Sequence, residues 1–353
     1  MDEDAVILTS YFRERRRAGG SRGEALIDLY GLRSVAASVL LRGIEGHGSG
    51  QPADGGGALP STEDPPLTAV AVDTAPRIDA VLGEVTGIAQ PGLTTWERAR
   101  LLSGEIDPVW LGESSSEATR LTIYCGHADR VFQVPAFEAA CELLYRREIA
   151  GATVLSGIDG TVGGRRQRAH SFRRDGDAPM MVVTVGSGER IATTLPELGG
   201  LFRHPLMTIA KVRLFKRDGK VISSPETLPD GDDPATSARM APQVKLTVYT
   251  SEAARINGRP THREIVRLLR AAGVGGVTSQ RGTWGFHGEH APHGDHFPRH
   301  GRHVPVVTTV IERADRIGTA LDVIDALTPD RGLVTAETVL TSQPAEASRD
   351  QGA

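Results

Sequence analysis

Six histidines, His287, His290, His293, His296, His300 and His303, recur almost every third residue in one polar stretch, with Glu289 and Asp295 between them. Imidazole is a common ligand for zinc, nickel and copper. In an extended chain with three residues per turn, the first four would share one face. Pro292, Gly294, Pro298 and Gly301 argue against a rigid, closed structural zinc site. A low-complexity loop that meets metals adventitiously would read the same way. A second polar stretch sets Arg165, Arg166, Arg168, Arg173 and Arg174 against Asp175 and Asp177, a net of +3. Guanidinium forks suit phosphate or carboxylate; a solvated basic loop is the plainer reading. A third stretch, Gly46-His47-Gly48-Ser49-Gly50-Gln51 followed by Gly55-Gly56-Gly57, offers backbone N–H groups to an anion. Its plainer reading is a flexible, linker-like segment. Phe172 is the lone aromatic of the Arg-rich stretch, which provides no stacking platform for single-stranded nucleic acid. No G-x-S-x-G elbow, H-E-x-x-H, C-x-x-C or P-loop is present, so the expectation is a protein that is not an enzyme.

These three stretches begin at the same sign. Each follows a glycine hinge: Gly43-Ile44-Glu45-Gly46, Gly157-Ile158-Asp159-Gly160 and Gly282-Thr283-Trp284-Gly285. Upstream lies Leu-Thr-x-Tyr, ending at Tyr11, Tyr124 and Tyr249, and the offsets from Tyr to hinge are 32, 33 and 33. From hinge to a proline (Pro66, Pro179, Pro305) they are 23, 22 and 23, and from proline to an Arg-Ile pair 11, 11 and 11. Four anchors in register three times predict a triplicated unit. The candidate ligand-contacting residues are therefore the hinge and loop glycines Gly43, Gly46, Gly48, Gly157, Gly160, Gly163, Gly282 and Gly285, with the cations Arg165 and Arg166. Glycine there would let a ligand approach backbone.

Each unit reads as β-α-β-loop-β-α-β. The first strand carries Leu-Thr-x-Tyr. The first helix shows apolar residues at helical spacing (Leu26, Leu29, Tyr30; Phe137, Ala140, Cys141, Leu144, Tyr145; Ile265, Leu268, Leu269, Ala272). Pro135 and Pro260 precede two of these helices. The third strand opens on the aligned proline, where a missing N–H is tolerated. The second helix presents Ile78, Val81, Leu82, Val85; Ile191, Thr194, Leu195, Leu198; and Ile317, Ala320, Leu321, Ile324. This order predicts an α+β fold of three tandem ferredoxin-like (βαββαβ) domains. Such a sheet leaves one face bare, and a ring of three covers it, so a single chain packed as an intramolecular pseudo-trimer is expected. The expected divisions are 1–102, a linker 103–117, 118–217, a linker 218–242, 243–342 and a disordered tail 343–353.

The 353 residues are 39% apolar with a formal charge of −4, which gives no general reason to bind nucleic acid. No apolar run approaches a membrane span, and Met1-Asp2-Glu3-Asp4 is unlike a signal peptide. Cys125 and Cys141 form no disulfide framework, and Cys141 lies on an apolar helix face as a structural thiol. A cytoplasmic location is expected.

The chain resembles the PII-like proteins, and among them domain-of-unknown-function family 190. The pattern L-T-x-Y, helix, G-A-T-V-L-x-G-I-x-G, loop, P-x-x-V, R-I fits the second copy over Leu121 to Phe215; the third fits over Leu246 to Leu340, and the first fits at its ends. The resemblance implies a small-molecule sensor whose ligands, commonly adenine nucleotides, sit between neighbouring subunits. It implies signalling to partners such as membrane transporters through a T-loop, here Gly46 to Pro65, Gly160 to Ala178 and Gly285 to Val304. A fluoride channel is the partner suggested by family context. The phosphate loop of classical nucleotide-binding members lacks its lysine here: Gly87 to Gly92, Gly199 to His204 and Thr328 to Gly332 leave only Arg203 and Arg331 to hold a phosphate. The resulting expectation is a regulator binding a small anion between repeats, with zinc, nickel or copper binding by the His-rich loop as the alternative.

Overall fold

The computed structural model describes residues 2–13, 20–48, 65–103, 117–168, 178–223, 240–288, 290–294 and 304–342. The first repeat contains β1 (Asp2–Arg13), α1 (Arg22–Leu32), β2 (Ala37–Arg42), β3 (Glu45–His47), β4 (Pro66–Thr74), α2 (Ala75–Ala89) and β5 (Leu93–Ser103). The second contains β6 (Glu117–Gly126), a small hairpin β7 (Arg130–Val131) and β8 (Val134–Pro135), α3 (Ala136–Arg146), β9 (Gly151–Ser156), β10 (Asp159–Val162), β11 (Arg165–Arg168), β12 (Pro179–Gly186), α4 (Gly188–Leu201), β13 (Leu206–Arg217) and the short β14 (Lys220–Val221). The third contains β15 (Met240–Ser251), the hairpin β16 (Arg255–Ile256) and β17 (Arg259–Pro260), α5 (Thr261–Ala271), β18 (Gly276–Arg281), β19 (Trp284–His287), β20 (His293–Gly294), β21 (Pro305–Glu312), α6 (Ile317–Leu327) and β22 (Leu333–Ser342).

The elements form where their residues favour them. Pro66, Pro179 and Pro305 each open a strand. Pro135 and Pro260 are the N-cap residues of α3 and α5. Ser21 caps α1 by accepting from Glu24 N at 3.2 Å, the backbone half of an S-x-x-E box. The main strands order as β2-β4-β1-β5, β9-β12-β6-β13 and β18-β21-β15-β22, antiparallel throughout. Two helices cover one face of each sheet, and each repeat has its own core there. The twofold alternation of a strand divides Leu-Thr-x-Tyr between faces. Leu8, Leu121 and Leu246 face the helices. One residue earlier, Ile7 points to the opposite face, into an apolar cluster shared with Tyr124, Met181 and Ala210 of the second repeat.

Two sets of strand pairs join the repeats. The last strands pair mutually: Leu206–Ile209 with Ser103–Arg100, Arg213–Arg217 with Ala336–Leu333, and Leu340–Thr341 with Trp96–Thr95. The hinge strands each cross to another repeat. β3 pairs with β18, β10 with β2, and β19 with β9. Every repeat thus gives a hinge strand to one neighbour and receives one from the other. No helix among the described residues is long and apolar enough to cross a membrane.

Residues 104–116 of the expected linker 103–117 and 224–239 of the expected linker 218–242, the segments 14–19, 49–64, 169–177 and 295–303, and the tail 343–353 lie outside the described residues. So do Arg173, Arg174, His296, His300 and His303. β14 (Lys220–Val221) and the start of β15, from Met240, fall inside the expected second linker, 218–242, so both its ends carry strand.

Candidate functional site at the repeat joints

The second repeat's hinge leads into a tight hairpin. Gly163 and Gly164 have φ of 56° and 74°, and paired positive φ values are what a two-residue hairpin turn of matching twist requires. β10 lies along β2, with Thr161 Oγ1 and Ser38 Oγ 2.8 Å apart. Asp159 is buried and accepts from Gly160 N at 2.9 Å and from Arg166 Nε and Nη2 at 3.1 and 2.8 Å. Arg166 reaches onward to Asp28 of α1, and Arg168 to Glu24. The hydrogen bonds that the Arg166 guanidinium donates to Asp159 outweigh partial burial and hold it firmly protonated. A cavity of about 410 Å3 opens here, lined by Ile27, Asp28, Gly31, Leu32, Thr161, Gly164 and Arg166. Leu32 is 83% exposed on its rim. A guanidinium anchored from behind by a buried acid, with an apolar shelf beside it, is chemistry suited to a small anion carrying an apolar group.

The first repeat's joint reverses the charges. Glu45 meets Arg263 of α5 at 3.0 Å, and His47 Nε2 donates to Val274 O at 3.0 Å. Arg13 donates to Gly46 O at 2.6 Å. Burial raises the Glu45 carboxyl, against the pull of Arg263, and lowers the His47 imidazole. Also on α5, His262 is buried, with no partner for Nδ1 among the described residues, and burial beside Arg263 pushes it down to about 4. The third repeat's joint is apolar. Phe286 is fully buried and meets Tyr145 of α3 edge-on at 5.4 Å. His287 and His290 stack at 5.5 Å, and His293 Nδ1 donates to Ala291 O. Among the described residues no three His, Cys, Asp or Glu side chains converge as a metal site.

The hinge glycines are occupied by protein. A Cβ on Gly46 would stand 2.7 Å from Val277 O, and on Gly160 or Gly285 it would collide with the Ser38 or Ala152 carbonyl. Gly157 closes on Pro179 and Val39, Gly43 on Pro66, and Gly282 on Pro305 and Thr153. Backbone does approach closely at these positions, and the approaching group is chiefly the neighbouring repeat. Gly48 and Gly163 face open space. Arg165 is exposed on the hairpin. Arg203 and Arg331, exposed after α4 and α6, do not line the cavity with Arg166. Cys125 and Cys141 are buried free thiols, raised by that burial.

One group of residues escaped the sequence reading. Glu97, Arg120, Lys245 and Glu337 form a buried cluster between the sheets. Burial alone would raise the Glu97 carboxyl, but Lys245 and Arg120 outweigh it and hold it below the usual range. The available signal was a charge beside Leu-Thr in two repeats where the first has Ile7.

Comparison with known families agrees with the repeat. The model of DUF190, described as Uncharacterized ACR, COG1993, matches residues 5–101, 118–214 and 243–341. These matches span most of the chain, and each covers, apart from the outermost strand ends, four main strands, two helices and a hinge. The chain therefore belongs to the DUF190 family, as three tandem copies.

Proposed function

We propose that this chain is a non-enzymatic, PII-like regulator: three ferredoxin-like units closed as a pseudo-trimer, binding a small anionic ligand at a repeat joint and signalling through its loops. The observation that carries the reading is the second repeat's hairpin. Its strand β10 is laid on the first repeat, and its Arg166 lines the cavity between them. The outgoing chain leaves from Arg168, two residues further on. A ligand anion that takes the place of Asp28 and Glu24 on these guanidiniums changes the ties that hold the loop base. Both pairs are substantially exposed, and such pairs contribute only about 0–1 kcal/mol each, so replacement is inexpensive. Asp159 keeps the cation in place meanwhile. The ligand class that suits the apolar rim and the cation is an organic phosphate, with adenine nucleotides first. The partner is a protein contacted by the loops, and a membrane channel or transporter is the class the family likeness suggests.

Titration calorimetry against ATP, ADP, AMP, cyclic AMP, cyclic di-AMP, zinc and nickel tests this. Micromolar binding of a nucleotide, reduced at least tenfold in Arg166→Ala and retained in Arg331→Ala, is expected. Hydrogen exchange of 159–168 should slow on binding. Saturable metal binding with no nucleotide binding would overturn the reading.

A further inference from the structure

The charges inside this molecule are shared out unequally among its repeats. Arg120 Nη2 donates to Glu97 at 3.0 Å and its Nη1 to Glu337; Lys245 Nζ donates to Glu97 at 2.7 Å and lies 3.2 Å from Glu337. Each cation therefore touches both acids. All four side chains are at most 9% exposed. Glu97 comes from the first repeat, Arg120 from the second, and Lys245 and Glu337 from the third.

Equivalent positions make the distribution informative. The residue before Leu-Thr is Ile7, Arg120 and Lys245 in the three repeats. The fifth residue of the last strand is Glu97, Ala210 and Glu337. Ile7 and Ala210 lie together in the apolar cluster between the first two sheets. Three first repeats around one centre would bring acids and no cation; three second repeats would bring arginines and no acid. A buried charge without its partner is costly. Three third repeats, each with Lys245 and Glu337, would balance at the centre. There the joint decides, because α5 carries Arg270 at the position where α3 offers Tyr145 to Phe286.

The joints independently show the same preference. The second repeat's Arg166 and Arg168 meet Asp28 and Glu24 on α1. The first repeat's Glu45 meets Arg263 on α5, with the signs reversed. Phe286 meets Tyr145 in the third. Placing the second repeat's hinge on α5 would set arginine against arginine. Placing the first repeat's hinge on α1 would set Glu45 against Glu24 and Asp28.

We infer that the three repeats are keyed for heterotypic closure: the central charges and the joint pairs admit one copy of each repeat, in one cyclic order. The partner surface of each repeat is a different repeat of this chain. The three loop bases are consequently held in a fixed, non-interchangeable order. This inference does not depend on any ligand.

Two full-length chains test it. One carries Arg120→Glu and Lys245→Glu; the other carries Glu97→Lys and Glu337→Lys. Each alone has four like charges at the centre. Repeats one and two of either chain, closed with repeat three of the other, give each ring two acids and two cations. Opposite charges then meet at 97–245 and 120–337, and like charges are left only at 97–120 and 245–337, against four like contacts in either chain alone. Co-expressed with different tags, the two should copurify as a 1:1 dimer, while each alone aggregates or melts well below the parent. Two differently tagged parent chains should not copurify. Either half-inverted chain behaving alone as a monomer with the parent's melting temperature would overturn the inference. So would a fully inverted chain, carrying all four substitutions, that fails to fold as a monomer.

Discussion

At the residue scale, the glycines separate two roles. Gly160 has no room for a Cβ because the Ser38 carbonyl occupies that space, whereas Gly163 has room but a φ of 56°. Gly160→Ala is expected to destabilise the chain by about 1–3 kcal/mol through overpacking. Gly163→Ala should cost about 1–2 kcal/mol through left-handed backbone alone. Chemical denaturation measures both, and only the first should also loosen β2 in hydrogen exchange. His262 gives a pH signature. Burial keeps it neutral down to about 4 in the folded chain, with Arg263, Glu252 and Arg255 around it. The unfolded imidazole takes its proton near pH ~6.5, so the unfolded state binds more protons below that value, and stability falls as pH drops from 6.5 toward 4. His47, lowered the same way, adds to the fall. In the second repeat the equivalent of His262 is the buried Phe137. His262→Phe should flatten the denaturation midpoint between pH 6.5 and 4; an unchanged slope would remove His262 from the account. Glycine positions were legible from the sequence through their repetition. What fills the space beside Gly46, Gly160 and Gly285 was not, because the filling carbonyls of Val277, Ser38 and Ala152 are more than a hundred residues away.

At the element scale, the hinge strands matter more than the helices for joining repeats. Thr161 N donates to Ser38 Oγ at 3.1 Å, in the middle of the β10–β2 ladder. Thr161→Pro removes that donor. Exchange at 37–42 and 159–162 should rise at least tenfold, while β15 and β21 of the third repeat stay protected. The strand and helix order was legible because each copy carries apolar residues at helical spacing and the same Leu-Thr-x-Tyr and proline marks on its strands. The second helices buried their expected faces, with Ile78, Val81 and Val85, and Ile191, Thr194, Leu195 and Leu198 inside. Leu82 and Leu321 are only partly covered. The hinge strands were legible only as turns. β3 has three residues and β10 four, too short to show a period, and their partners lie in other repeats.

At the scale of the whole molecule, the buried charges decide how sensitive the chain is to single changes. Arg120→Ile alone leaves two buried acids, Glu97 and Glu337, to share one cation, Lys245, and should cost about 3–5 kcal/mol. Replacing all four residues by the apolar types found at the equivalent positions, Glu97→Ala, Arg120→Ile, Lys245→Ile and Glu337→Ala, should recover most of that loss. Thermal melts of the two variants check this, and a single variant as stable as the parent would remove Arg120 from the stability account. Light scattering of the parent is expected to give one chain of 37.6 kDa, because its repeats already occupy one another's pairing edges.

The sequence by itself determined the unit and its number. Local periods, prolines at strand starts and the recurring hinge are all encoded within about a hundred residues, so they can be read without a partner. Tertiary structure alone decided what each unit meets. Asp28 and Glu24 acquire meaning only when the second repeat's arginines arrive, and Glu97 only when Arg120 and Lys245 reach it from two other repeats. The physical reason is that a pairing between distant residues has no period and no fixed spacing. Its energy comes from burial and charge at contact, and the contact exists only once the repeats have closed.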